Sequence, residues 1–78
     1  MTNSPADHSP SLEIIVNGKP ERFHETPLTI ALALRRLNLD TRFVAIAHNH
    51  RCIPRSAWGD ERLKDGDSLE VLAPMAGG

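Results

Sequence analysis

The dipeptide of Asn17 and Gly18, placed directly after an alternating apolar run, constrains the fold more than any other feature. In the run Leu12–Val16, every second residue is apolar, so one face of a strand would be apolar throughout. Asn-Gly favours the tight two-residue turn whose central residues have positive φ. The sequence therefore predicts a β-hairpin, with a short second strand over residues 20–24 anchored by Phe23.

One helix is predicted after this hairpin. Thr29 can cap its N-terminus, and Thr26, just before a proline, is a competing cap. Apolar residues recur at helical spacing at Ile30, Ala33, Leu34 and Leu37. Asn38 is a plausible left-handed stop, because asparagine tolerates positive φ after a helix.

The rest of the chain predicts three strands separated by turns. The strands cover residues 43–48, 51–53 and 68–72, and the turns cover residues 49–50, 56–60 and 64–67. In the last strand, Leu69 and Val71 share one face, and Leu72 lies on the opposite one. The order β-β-α-β-β-β predicts an α+β roll of the β-grasp (ubiquitin-like) kind, with a mixed sheet of about five strands and one helix on one face.

The chain of 78 residues predicts one small domain. Residues 1–11 are polar and contain two prolines, so we expect a disordered extension there, a folded domain over residues 12–73 and a flexible tail over residues 74–78. A core of this size leaves little room for a buried active site, which argues against a self-contained enzyme.

Composition disfavours several other classes of protein. The net charge of −1, with one Trp, two Phe and no Tyr, provides neither a basic field nor a stacking platform for nucleic acid. A single cysteine forms no internal disulfide, and no apolar run is longer than the five residues of 30–34, which are too few for a membrane span. We therefore expect a cytoplasmic protein without nucleic-acid or membrane partners.

Metal binding and cysteine chemistry are both disfavoured. His48, His50 and Cys52 alternate, but Asn49 and His50 are predicted to turn the chain, and a fourth protein ligand is lacking. No base or cation is clearly placed to activate the Cys52 thiol as a persulfide carrier, so we expect a half-buried strand residue.

Four residues are candidates for a partner surface. Ile15 and Leu72 fall on the outward phase of their strands, which predicts a modest apolar patch beside the tail. Trp58 either closes one edge of the core or serves as a partner-facing anchor. Arg55 either pairs with an acidic partner surface or is solvated.

The sequence finishes in Gly77 and Gly78. Two residues without Cβ can enter a narrow channel, and the ionised carboxylate after them is a potential nucleophile. Four motifs together resemble the ThiS family, the sulfur carriers of thiamine biosynthesis. These are Asn-Gly at residues 17–18, Ile-Pro-Arg-Ser-x-Trp at 53–58, Asp-Gly-Asp at 65–67 and Ala-Gly-Gly at 76–78.

The resemblance implies a carrier rather than an enzyme. The carboxylate of Gly78 would be adenylated by a ThiF-like enzyme, which uses ATP, and a sulfur donor such as a cysteine desulfurase would convert it to a thiocarboxylate. A ThiG-like thiazole synthase would then take the sulfur. The residues that would deliver the terminus into partner sites are Pro74, Met75, Ala76 and Gly77. No cofactor would be bound by the chain itself.

Three alternatives remain open at this level. Asp-Gly-Asp and Gly-Gly also occur in the small subunit of molybdopterin synthase. Pro74, a proline just upstream of the diglycine, is a further point of resemblance to that subunit. A ubiquitin-like modifier would use the same tail to form isopeptide links. A plain β-grasp interaction module would make no use of it.

Overall fold

The computed structural model describes residues 11–73. The predicted tail and nearly all of the predicted N-terminal extension lie outside these residues. The elements, in chain order, are β1 (Leu12–Val16), β2 (Lys19–Phe23), β3 (Leu28–Thr29), α1 (Ile30–Arg36), β4 (Ala45–His48), β5 (Arg51–Ile53), a 3-10 helix (Arg55–Ala57), β6 (Arg62–Leu63) and β7 (Ser68–Leu72).

Five strands form one mixed sheet in the order β2-β1-β7-β4-β5. β1 and β7 are parallel, and the other neighbours in this sheet are antiparallel. β3 and β6 pair in a separate two-stranded sheet. This arrangement, with one α-helix, confirms the predicted β-grasp architecture.

The first hairpin forms as its turn signal predicts. Asn17 and Gly18 have φ values of 51° and 82°, and Val16 pairs with Lys19 across the turn. Gly18 adopts this left-handed conformation without the cost that a side chain would bring. The second strand begins and ends one residue earlier than predicted.

Helix α1 begins at the predicted cap. The Thr29 side-chain oxygen accepts a hydrogen bond from the Leu32 N–H at 3.2 Å, so Thr29 rather than Thr26 caps the helix. Asn38 has a φ of 59° and ends it in the left-handed conformation. The buried face of the helix packs onto the sheet through Ile30, Ala33 and Leu34.

The core lies between α1 and the inner face of the five-stranded sheet. Its strand residues are Ile14, Val16, Phe23, Ile46, Ile53 and Leu69, and it is completed by Leu28, Leu63 and Trp58. Leu69 of β7 is fully buried, and Val71 packs against the core from the same strand face. The prediction for the two faces of the last strand is therefore confirmed.

Two local predictions were wrong, and two short strands were missed. Residues 43–48 do not form one buried strand, since β4 begins at Ala45 and the Phe43 side chain is 72 % exposed. Cys52 is exposed rather than half-buried, because β5 is an edge strand and Cys52 pairs with Ala47 on the outer face of the sheet. The two-residue strands β3 and β6 were not expected at all.

Candidate functional site

The candidate site is built around the end of β7, from which the chain continues toward its predicted reactive terminus. We call residues 71–73 the tail root. β7 lies at the centre of the sheet, with β1 on one side and β4 on the other. Leu69, fully buried two residues before the tail root, anchors the strand. The tail root is therefore attached to the central strand of the sheet.

Hydrogen bonds hold the tail root from both sides. On the β4 side, Leu72 pairs with Ala45. On the other side, β1 has already ended, and the Asn17 side chain contacts the Val71 backbone instead. The Val71 N–H donates to Asn17 Oδ1 at 2.8 Å, and Asn17 Nδ2 donates to the Val71 carbonyl at 3.4 Å.

The outer side of the sheet presents apolar residues next to the tail root. Leu72 is 52 % exposed, and its strand partner Ala45 is exposed as well. Phe43, the most exposed large apolar side chain of residues 11–73, lies two residues before Ala45. The Arg42 guanidinium is 5.8 Å from the centre of its ring.

The structure does not bring Ile15 and Leu72 together. Ile15 is level with Ser68 at the start of β7, four residues before Leu72, and it is only partly exposed. At about 3.3 Å per residue, this puts roughly 13 Å along the strand between the two positions. Phe43, which sequence reasoning assigned to a buried strand, lies two residues before Ala45, the strand partner of Leu72.

Arg55 and Trp58 make internal contacts. Trp58 is a core residue, 6 % exposed, and its indole N–H donates to the Ile53 carbonyl at 3.0 Å. The Arg55 guanidinium lies 4.4 Å from the centre of the Trp58 ring and donates to the carbonyls of Thr41 and Arg42. These contacts hold the loop before β4 against the 3-10 helix, and partner binding by either residue stays a prediction.

His48 belongs to a cluster that sequence reasoning missed. Its side chain is 10 % exposed, with Nδ1 at 2.8 Å from Glu61 Oε2 and Nε2 at 2.7 Å from Asp67 Oδ2. Both ring nitrogens are thus engaged by carboxylates that lie in different segments. The cluster fastens the end of β4 to the segment between the 3-10 helix and β7.

These contacts shift the ionisation of the cluster. Burial by itself lowers the pKa of His48, but the hydrogen bonds to Asp67 and Glu61 outweigh it and raise this pKa above its usual value near 6.5. For Asp67, burial raises the pKa, but the hydrogen bonds from His48, the Lys64 N–H and Asn49 prevail and lower it. The charged forms of His48 and Asp67 therefore favour one another.

The other two residues of the alternating His48, His50 and Cys52 set do not join His48. Asn49 and His50 form the turn, with φ values of 50° and 71°, and Cys52 lies on the opposite sheet face from His48. Within residues 11–73, no group of three or more His, Cys, Asp or Glu side chains is placed to hold a metal ion.

Comparison with known proteins addresses the identity of the domain. The sequence matches the ThiS family over residues 14–78, which is most of the chain. The chain belongs to the ThiS family.

Two solved structures of ThiS proteins resemble this ThiS-family chain. The crystal structure of the thiamine biosynthesis protein ThiS from Geobacter metallireducens is 30 % identical, with a TM-score of 0.74 over 86 % of this chain and 100 % of that one. The solution structure of a thiamine biosynthesis protein from Geobacter metallireducens has a TM-score of 0.68 at 30 % identity, over 86 % of this chain and 88 % of that one.

A longer protein is similar as well. A thiazole synthase from Paramagnetospirillum magneticum is 33 % identical over 67 residues, which are 86 % of this chain and 20 % of that protein. This ThiS-family chain therefore spans about one fifth of the length of that curated relative.

Family membership confirms the resemblance seen in the sequence and the β-grasp fold expected from it. The α-helix formed within residues 11–73 is too short to cross a bilayer. The predicted site residues Pro74, Met75, Ala76, Gly77 and Gly78 lie outside the described residues, so their roles stay predictions.

Proposed function

We propose that this ThiS-family chain carries sulfur for thiazole formation in thiamine biosynthesis, bound to the carboxyl group of Gly78. The observation that carries the proposal is the reach of the family match, which extends through residue 78 and so includes Gly77 and Gly78. A match confined to the folded domain would have supported the fold without supporting use of the tail.

The domain provides a fixed base for that chemistry. β7 is central, and the tail root is held by Asn17 on one side and by Ala45 on the other. Residues 73–78, if extended inside a partner, reach on the order of 20 Å at about 3.3 Å per residue. The terminus can then enter a partner's active site while the domain stays outside.

The proposed chemistry has two steps. An oxygen of the Gly78 carboxylate attacks the α-phosphorus of ATP and displaces pyrophosphate, which gives an acyl-adenylate. A sulfur nucleophile at the oxidation level of sulfide, which two equivalents of a thiol reductant release from a desulfurase persulfide, then attacks the Gly78 carbonyl carbon and displaces AMP, which leaves a thiocarboxylate. The absence of Cβ at Gly77 and Gly78 keeps the attacked carbonyl accessible in a narrow channel.

A ThiF-like adenylating enzyme, a sulfur donor such as a cysteine desulfurase and a thiazole synthase are the proposed partners. The thiazole synthase is supported by the relative from Paramagnetospirillum magneticum, because one fifth of a protein with that name is similar to this chain. A carrier-like segment joined to a synthase favours transfer between the two, since covalent linkage raises their effective concentration.

Intact-mass analysis tests the proposal. The chain is incubated with a ThiF-like enzyme, ATP and a sulfur donor, and we expect a mass gain equal to the replacement of one oxygen atom by sulfur. Gly77→Ala should slow this gain severely and leave the thermal unfolding midpoint unchanged. No mass gain in the wild type, or a normal yield from Gly77→Ala, would contradict the proposal.

Genetic rescue distinguishes the pathways. The gene should restore growth to a thiamine-requiring strain that lacks its own ThiS, and it should not restore molybdenum cofactor to a strain that lacks the small subunit of molybdopterin synthase. The reverse result would assign the chain to the molybdopterin route. Isopeptide links from Gly78 to lysines of other proteins would instead indicate a modifier.

A further inference from the structure

The pairing between β1 and β7 is short. The register contains two pairs, Ile15 with Ser68 and Val16 with Leu69. On this side, the Ile15 N–H donates to the Asp67 carbonyl at 2.9 Å, and the Asn17 N–H donates to the Leu69 carbonyl at 3.0 Å. The chain then turns away at Asn17. The next backbone groups of β7 that point toward the β1 side, the Val71 N–H and carbonyl, therefore have no strand beside them.

The Asn17 side chain takes the place of that missing strand. Its Oδ1 accepts from the Val71 N–H at 2.8 Å, and its Nδ2 donates to the Val71 carbonyl at 3.4 Å. A carboxamide carries the same donor and acceptor as a peptide group. The side chain therefore extends the parallel ladder to the tail root, beyond the point at which the β1 backbone ends.

We propose that Asn17 is a positioning residue for the tail: its carboxamide holds Val71 on the side of β7 that β1 leaves open, so that the tail root stays in the sheet up to Leu72. The proposal rests on the proposed function, in which the tail delivers Gly78 to partner enzymes. A tail root that is already ordered has fewer conformations to lose when the terminus enters a partner's site, which favours binding. Ala45 still holds Leu72 from the other side, so loss of Asn17 should weaken delivery by a modest factor.

The opposite end of β7 provides an internal control. Asn49 has nearly the same φ as Asn17, 50° against 51°, and also begins a two-residue turn. Its Oδ1 accepts from the Ser68 N–H at 2.8 Å, and its own N–H donates to the Ser68 carbonyl at 2.8 Å. The two asparagines therefore make similar contacts with β7, one at its start and one at the tail root.

The test compares Asn17→Gly with Asn49→Gly. Glycine adopts the positive φ of both positions, so each change removes the side-chain hydrogen bonds without straining the turn. One net hydrogen bond corresponds to roughly a five-fold change in an equilibrium. For Asn17→Gly we expect amide exchange of Val71, measured relative to Leu69, to be about five-fold faster.

The kinetic readout is ATP–pyrophosphate exchange by the ThiF-like enzyme with the carrier as variable substrate. Asn17→Gly should raise KM about five-fold with kcat unchanged, because the tail root must be reordered on binding. Asn49→Gly also loses a hydrogen bond to Asp67, so it should lower the unfolding midpoint at least as much as Asn17→Gly does. It should nevertheless leave KM at the wild-type value. Asn17→Asp keeps the acceptor for the Val71 N–H, so it should restore much of the protection of this N–H against amide exchange.

Each outcome is decisive. Equal KM values for Asn17→Gly and Asn49→Gly, or Val71 exchange unchanged in Asn17→Gly, would refute the positioning role. If the wild type supports no pyrophosphate exchange, the proposed function is refuted and the delivery role with it, while the Val71 exchange rates still report whether Asn17 holds the strand.

Discussion

Raising the pH should weaken this domain through the His48 cluster. In the charged imidazole, one N–H donates to Glu61 and the other to Asp67, at 2.8 and 2.7 Å. A neutral imidazole retains one N–H, so the other nitrogen turns a lone pair toward a carboxylate oxygen. Deprotonation therefore removes at least one charge-assisted hydrogen bond.

The direction follows from the pKa shifts. Because the pKa of His48 is raised, its stabilisation is complete below its usual value near 6.5 and is lost as the pH rises through the raised pKa. Because the pKa of Asp67 is lowered, its contribution is present above its usual value of 3.8 and is lost as the pH falls through the lowered pKa. Stability should therefore be greatest between about pH 4 and pH 6.5.

The magnitude follows from the bond that is lost. A hydrogen bond to a charged group contributes about 1.5–3 kcal/mol, and the His48 side chain, 10 % exposed, is poorly screened by solvent. For a domain of this size, 1 kcal/mol shifts the unfolding midpoint by about 4–8 °C. We expect the midpoint to fall by roughly 6–24 °C between pH 5.5 and pH 8.5.

Calorimetry across this pH range is the assay. His48→Gln should unfold at a lower temperature at pH 5.5 and show little further change up to pH 8.5. His24→Gln, at an exposed position outside the cluster, is the matched control and should keep the wild-type slope. A flat wild-type profile, or the same slope in His48→Gln and the wild type, would show that the cluster does not control stability.

Three further predictions concern the sheet and its loops. Arg55→Ala should lower the free energy of unfolding, measured in urea, by about 1–3 kcal/mol. Arg55→Lys should not restore it, because lysine lacks the planar guanidinium that binds the carbonyls of residues 41–42 and stacks on an aromatic ring. Phe43→Ser combined with Leu72→Ser should change the free energy of unfolding by less than about 0.5 kcal/mol, yet raise the KM of the carrier with its partner enzymes. An unchanged KM would argue against contact between these two side chains and a partner enzyme. Cys52→Ser should leave the thiocarboxylate yield by mass spectrometry unchanged, whereas a lost yield would place this thiol on the sulfur route.

Features encoded by short stretches of sequence were predictable. The Asn17 turn, the Thr29 cap and the stop at Asn38 each depend on the conformational preference of one or two residues, and all three form as predicted. The alternation in β7 assigned Leu69 to the core and Leu72 to the outer face for the same reason. Local signals were sufficient to give the order of the main elements and hence the fold class.

Features created by contacts between distant segments were not predictable. Phe43 begins the apolar run of residues 43–47, but Arg55 binds the two carbonyls before it, and β4 begins only at Ala45. β3 and β6 are two residues long, and Leu28 and Leu63 pair only because the fold brings them together.

The His48 cluster was missed for the same reason. Its carboxylates come from Glu61 and Asp67, which lie 13 and 19 residues further along the chain. In the candidate site, too, local signals were readable and distant contacts were not. The sequence indicated the tail and the exposed Leu72, but it did not indicate that Asn17 contacts Val71.

The parallel pairing of β1 and β7 has a consequence for linking this domain to other proteins. Ile15 is level with Ser68, so Leu12 lies three residues behind that level and Leu72 four residues ahead of it. These seven steps separate the two positions by about 23 Å along the sheet. A purification tag or a fused enzyme placed ahead of Leu12 would therefore be attached at the far end of the sheet, with the domain itself acting as a spacer that keeps it clear of the tail.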